Sequence, residues 1–224
     1  MSQLDRNPSA FARSLVAELI GTFFLLTVIL AAPASVTFAA AGATLLIMVV
    51  AIGKTSGAHL NPAVTTALVT NRQFPLKDGL VYVVAQVVGA LLAIFAVDVV
   101  LARSLGGVDP GNNAFWAELI GTFLLAFVVS QVTVHQVPEA GSALGIGIAL
   151  ALGVLVAGPN SGGVLNPAIG LALLLTGNVV GALGGMFYYL LAPLVAGLLA
   201  GQVASYLTPS RLPKGDPRRG ARSL

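Results

Sequence analysis

The sequence predicts an all-α integral membrane protein: six transmembrane helices plus two re-entrant half-helices, built as an inverted repeat of three spans and three. Three observations predict it. Only 8% of the 224 residues are charged and 57% are hydrophobic, whereas soluble domains carry about 25% charged residues to coat a water-facing surface. Apolar stretches long enough to cross a bilayer recur along the chain. Three sequence blocks also occur twice, in the same order.

A helix needs roughly 20 apolar residues to cross about 30 Å of hydrocarbon. Spans are expected at Ala12–Ala32, Val36–Gly53, Gly79–Leu101, Ala114–Thr133, Ser142–Ala157 and Leu183–Leu207, the second and fifth being short. The first is too long for a cleaved export signal. Arg6, Arg13, Lys54, Arg72, Lys77 and five basic residues from Arg211 to Arg222 fall on one side, and Arg103 alone falls on the other. By the positive-inside rule both termini are cytoplasmic. The expected organisation is a cytoplasmic N-terminus (1–11), one channel domain (12–207, halves about 12–101 and 114–207) and a cytoplasmic tail (208–224). Rich in Pro, Gly and Arg, that tail is expected to be disordered and to touch anionic headgroups. Charge asymmetry and the lack of targeting extensions suit a bacterial inner membrane.

"AELIGTF" stands at Ala17–Phe23 and Ala117–Phe123; "SGAHLNPAVTTAL" (Ser56–Leu68) is echoed by "SGGVLNPAIGLAL" (Ser161–Leu173); "AQVVGALLA" (Ala85–Ala93) is echoed by "APLVAGLLA" (Ala192–Ala200). Each half holds three spans, an odd number, so the second copy starts from the opposite face. The halves are related by a pseudo-two-fold axis in the membrane plane.

After spans two and five comes Ser-Gly, then Asn-Pro-Ala and about ten apolar residues. Asn is a strong N-cap and Pro is favoured at the first helical position, so Asn61 and Asn166 should start short helices, Pro62–Thr70 and Pro167–Thr176. Ten residues at 1.5 Å each reach about 15 Å, half the hydrocarbon. Entering from opposite faces, the two present their N-termini to one central point. Each carries roughly +0.5 charge there, which disfavours cations. Each Asn caps its helix with its oxygen and keeps NH₂ donors for the lumen. A water accepting from both has its hydrogens turned outward, which breaks a proton wire. Irregular backbone at this depth must line a cavity or be buried. The carbonyls of Gly57, Ala58, His59, Gly162, Gly163 and Val164 therefore form an expected ladder of acceptors.

With the duplicated Asn61-Pro62-Ala63 and Asn166-Pro167-Ala168 and the duplicated "AELIGTF", the chain resembles the major intrinsic protein family of aquaporins and aquaglyceroporins over Ala12–Leu207. The resemblance implies a homotetramer with one pore per protomer. It implies that Glu18 and Glu118 are buried acceptors for the re-entrant loops, in keeping with paired intramembrane carboxylates. It also places the selectivity filter at Ala41, Val154, Gly163 and Ile169. The family usually has Arg where this chain has Ile169, and no basic residue lies between Arg103 and Arg211. Glycerol channels commonly follow the Arg with Asp, and here Gly170 stands instead. This wide, apolar, uncharged filter is similar to those of nodulin-like plant channels and bacterial relatives that pass glycerol, urea or neutral metalloid hydroxides such as boric and arsenous acid.

The expected function is passive passage of water and small neutral solutes, with protons and ions excluded. The alternatives are an orthodox water-selective channel, an ion-coupled secondary transporter and a non-conducting membrane-organising tetramer. The absence of Cys and the two distant His exclude thiolate chemistry and a His metal cluster. No catalytic constellation, cofactor or metal is expected, and no nucleic-acid partner. His59 is expected to fix its loop. His135 reads as a solvated loop residue, and Asp98 as a headgroup-level residue or partner of Arg103. Gly177, Gly181 and Gly185 have small-residue spacing that suits helix packing.

Overall fold

A computed structural model describes residues 8–102 and 107–208. Arg6, Arg103 and the basic tail beyond Thr208, with the expectations attached to them, lie outside the described residues. The helices are α1 (Pro8–Ala31), α2 (Thr37–Ser56), α3 (Pro62–Thr70), α4 (Leu76–Phe95), α5 (Ala114–Val134), α6 (Glu139–Ser161), α7 (Pro167–Leu175), α8 (Ala182–Met186) and α9 (Ala192–Leu207). A π-helical turn, Ala96–Val100, extends α4, and another, Phe187–Leu191, joins α8 to α9. The described residues thus contain six apolar helices long enough to cross a membrane. We call the face from which α1 starts the near side and the opposite face the far side.

The second and fifth spans are not short. α2 runs to Ser56 and α6 covers Glu139–Ser161. Their polar last turns, Lys54-Thr55-Ser56 and Gly158-Pro159-Asn160-Ser161, read as loop by hydropathy. Both helices instead continue to Gly57 and Gly162, whose left-handed φ of 88° and 80° closes the end by donating N–H to Gly53 and Gly158 carbonyls. The third span starts at Leu76, just after Pro75, earlier than hydropathy suggests. The second half-helix ends at Leu175, with Thr176 as its C-cap.

The packing repeats across the two halves. α1 lies on α2 and α4; α5 lies on α6 and α9; and α2 crosses α6 at the join. Each half-helix is held by the last span of the opposite half, α3 by α9 and α7 by α4. Surface and core are inverted relative to a soluble bundle. Leu80, Val84, Val88 and Leu92 form an exposed stripe at helical spacing along α4, while Gly89, Ala90 and Ala93 face inward. Such a surface is compatible with lipid and incompatible with water.

Small residues permit the crossings. A Cβ built on Gly42 of α2 would lie 2.5 Å from the Gly147 carbonyl oxygen and 2.7 Å from Ala151 Cβ of α6. Of the glycine series after the second motif, Gly177 and Gly181 sit in the α7–α8 loop at φ 75° and 72° with nothing near them, and only Gly185 packs, against Leu174 and Val179. Lys54 and Glu139 pair at 2.9 Å, linking the near-side ends of α2 and α6.

Gly42→Val should lower the thermal unfolding midpoint of the detergent-solubilised protein, since overpacking of this kind costs about 1–3 kcal/mol. Gly158→Ala, which adds a methyl where nothing lies within 4 Å, should leave the midpoint unchanged.

Candidate functional site

The site is assembled from two four-residue loops, Gly57–Leu60 and Gly162–Leu165, that carry the chain to the middle of the molecule. Glu18 of α1 and Glu118 of α5 anchor them, and both are wholly buried. Glu18 Oε1 accepts from Ser56 Oγ at 2.7 Å and His59 N at 2.9 Å, and its Oε2 from Leu60 N at 2.7 Å. Glu118 repeats the pattern with Ser161 Oγ at 2.6 Å, Val164 N at 2.9 Å and Leu165 N at 2.6 Å. Each serine oxygen also accepts a loop N–H, from Ala58 and from Gly163. Tyr82 and Tyr189 donate to the Ser56 and Ser161 carbonyls. No loop donor named here is left to the hydrocarbon.

Beyond the loops, Asn61 Oδ1 accepts from Ala63 N at 2.8 Å and Asn166 Oδ1 from Ala168 N at 3.0 Å, capping α3 and α7. The amide nitrogens go further. Asn61 Nδ2 donates to the Leu165 carbonyl and Asn166 Nδ2 to the Leu60 carbonyl, both at 2.8 Å. The expectation that each NH₂ simply faces a lumen needs correction. One of its two N–H bonds ties the opposite half, and only the second is available elsewhere. The crossed pair brings the half-helix tips together. Leu60 and Leu165 both sit at φ 50°, a conformation that costs a side-chain-bearing residue about 1–2 kcal/mol. Each is held there by its N–H on a glutamate and its carbonyl on the far asparagine.

Asn61 and Asn166 remain 4% and 3% exposed and line a central cavity with His59, Val164 and a wall of Leu25, Leu45, Leu125 and Leu150. Ala41, Val154, Gly163 and Ile169 all line an adjoining far-side cavity of about 80 Å³. Ile29, Val154, Gly163, Val164 and Ile169 are common to both cavities. Gly162 lines the far-side cavity. Pro62, Ala63, Pro167 and Ala168 are buried, with the Ala63 carbonyl directly against Gly197 of α9. Gly57 is exposed at the near face and Ala58 is buried beneath it. His135 is exposed at the end of α5, and Asp98 is exposed in the turn that extends α4.

The two halves differ in one respect that the repeated blocks conceal. Gln86 of α4 donates to Glu18 Oε2 at 2.7 Å and to Thr65 Oγ1 at 3.2 Å, and Thr65 Oγ1 lies 3.1 Å from His59 Nδ1. Phe74 and Tyr82 pack on the His59 ring at centroid distances of 4.7 and 5.2 Å. The equivalent positions of the second half hold Pro193, Gly170 and Val164. The near-side loop is therefore backed by an extended polar network that the far-side loop, at the equivalent positions, lacks. Sequence reasoning missed Gln86, Thr65, Ser56, Ser161 and the two tyrosines as site residues. The serines and tyrosines recur in register with the repeats, a usable signal; Gln86 and Thr65 have no such repeat.

Glu118→Leu would leave the Val164 and Leu165 N–H groups without their acceptor, at about 1–3 kcal/mol each, while the Ser161 hydroxyl keeps the Ala157 carbonyl at 3.1 Å. The purified variant should unfold at a markedly lower temperature, and Glu118→Gln, which restores one acceptor oxygen, should fall between it and the wild type.

The chain matches the family model "Major intrinsic protein" over residues 5–204. It is 37% identical to glycerol uptake facilitator protein-like 6 of Lactiplantibacillus plantarum, an alignment covering 84% of this chain and 94% of that one. It is 34% identical to nodulin-26 of Glycine max, covering 96% and 84%. The X-ray structure of the aquaglyceroporin from Plasmodium falciparum has the same fold, with a TM-score of 0.68 and 23% identity over 88% of this chain and 94% of that one. Sequence blocks, helix arrangement and paired half-helices agree with these matches: the chain belongs to the major intrinsic protein family, whose members are membrane channels for water and small solutes and not enzymes.

Proposed function

We propose that the chain is a wide-filter channel for small uncharged polar solutes, glycerol, urea or neutral metalloid hydroxides, as well as water. The observation that carries this reading is the cavity that Ala41, Val154, Gly163 and Ile169 share. Three of these side chains are small or aliphatic, the fourth residue has none, and no charge stands among them. A constriction walled this way offers no bulky ring and no cation to narrow it. The similarity to a bacterial glycerol facilitator-like protein and to nodulin-26 supports the reading. Against it, an orthodox water channel needs a narrower, more polar filter, and these residues give no support for one.

The role of each group follows from its chemistry. Asn61 and Asn166 each offer one remaining N–H to a passing oxygen, so a hydroxyl or water at the centre is oriented with its own hydrogens outward. The two half-helix N-termini disfavour a cation at the same point. An ion in so dry a passage would lose hydration worth several kcal/mol and find no counter-charge. The carbonyls of the far-side loop, at Gly162, Gly163 and Val164, serve as acceptors for solute hydroxyls. On this reading 12–207 is a single channel domain, both termini are cytoplasmic in a cell membrane, and the protein is a homotetramer with a pore in each protomer.

Stopped-flow light scattering on proteoliposomes challenged with sucrose, glycerol, urea and boric acid tests the proposal. Wild type should exceed the lipid background for water and for at least one larger neutral solute. Ile169→Arg should lose the larger solutes before it loses water. Equal permeabilities in wild type and variant would mean that Ile169 is not at the constriction.

A further inference from the structure

A second and larger cavity lies beside the far-side one, between the far-side ends of α2 and α6. The two helices touch at Gly42 and Gly147, where a Cβ on either would meet the other's carbonyl oxygen at 2.5 and 2.7 Å. The Lys54–Glu139 pair fastens their near-side ends. Toward the far side a cavity of about 390 Å³ opens, lined by Phe38 of α2 and by Leu155, Gly158 and Pro159 of α6. The far-side cavity of the proposed filter has about 80 Å³.

The lining carries no charged side chain. Phe38 and Leu155 give it apolar walls, and Gly158 leaves its space open: a Cβ built there meets nothing within 4 Å. Acceptors are also at hand. Pro159 lies inside α6 and has no N–H, so the Leu155 carbonyl lacks the donor that an uninterrupted helix would supply. Thr37 Oγ1 donates to the Pro33 carbonyl at 3.1 Å and so can only accept from a ligand. The lining therefore asks for an apolar body with a hydroxyl donor, and it offers an ion no counter-charge. Apolar clefts of about 300–1,000 Å³ with a few polar groups are the usual form of small-molecule sites.

We infer that this cavity is a binding site for a small uncharged amphiphile, an alcohol with an apolar body, and that its occupant slows permeation from outside the pore. Thr37, Val154 and Gly162 line both this cavity and the far-side one, so they form the partition between the two. A ligand seated against Val154 presses on a filter residue from behind without entering the solute's path. The effect on flux rests on the channel reading above; the binding does not.

The test uses benzyl alcohol as the probe and Gly158→Leu, which fills the open space, as the variant. Equilibrium dialysis of the radiolabelled alcohol against protein in nanodiscs of phosphatidylcholine and phosphatidylglycerol, with empty discs as reference, reads binding alone. Wild type should bind above the reference, and the variant should bind about tenfold more weakly, equivalent to about 1.4 kcal/mol. In proteoliposomes, the alcohol at equal concentration on both sides should slow glycerol flux through wild type. The variant, scaled to its own alcohol-free flux, should not be slowed. Binding no higher than in empty discs, or equal in wild type and variant, overturns the site. Binding that the variant weakens, with wild-type flux unmoved by the alcohol, overturns the control of permeation and leaves the site standing. Wild-type glycerol flux at the lipid background counts against the channel reading, and the dialysis then decides the site by itself. Should Gly158→Leu not be recovered folded, Gly158→Ala takes its place, and affinity equal to wild type overturns the site.

Discussion

A polypeptide that enters hydrocarbon without completing a helix must satisfy every N–H and C=O along the way, because no water is present to do so. In this protein the requirement is met by the reciprocal bonds between Asn61 and the Leu165 carbonyl and between Asn166 and the Leu60 carbonyl. Each asparagine caps its own half-helix and holds the other's loop. Neither half can place its tip without the other, so the paired tips are a property of the whole duplication. Behind them Glu18 and Glu118 collect the loop N–H groups, and glycine ends α2 and α6 at the depth where the loops must begin. The same arrangement fixes two positive helix ends at the centre and leaves one amide N–H on each asparagine.

Pseudo-symmetry governs the backbone and not the chemistry of the two approaches. On the near side, His59, Thr65 and Gln86 extend the Glu18 network and aromatic rings enclose it. On the far side, Val164, Gly170 and Pro193 take those places, and the adjoining cavity is walled mostly by aliphatic side chains, with Thr37 among them. On the proposed reading, a solute meets a carbon-lined vestibule on one side of the asparagines and a rigid polar loop on the other. Discrimination by size and polarity then belongs to the far side, and exclusion of charge to the centre.

Much of this was legible in the sequence, for identifiable reasons. Composition and span length demanded a membrane, and an odd number of spans per repeat demanded inversion. Asn followed by Pro is so strong a helix start that α3 and α7 were readable to within a residue. The ends of α2 and α6 were not, because Lys54-Thr55-Ser56 and Pro159-Asn160 look like loop to any hydropathy measure, while the actual stop is set by the backbone freedom of Gly57 and Gly162. The crossed asparagine bonds were hidden as well. The residue type shows that Asn can donate twice, but only the fold shows where each proton goes. Gln86 escaped notice because its repeat partner is Pro193.

The central claim is that two facing half-helices with amide donors pass an oriented water while barring charge. It is tested most directly by measuring proton and water flux in the same proteoliposomes, with an internal pH-sensitive dye under an imposed potassium-diffusion potential. The account predicts water permeability well above that of empty vesicles, with acidification no faster than theirs. Rapid, potential-driven acidification alongside the water flux would contradict it.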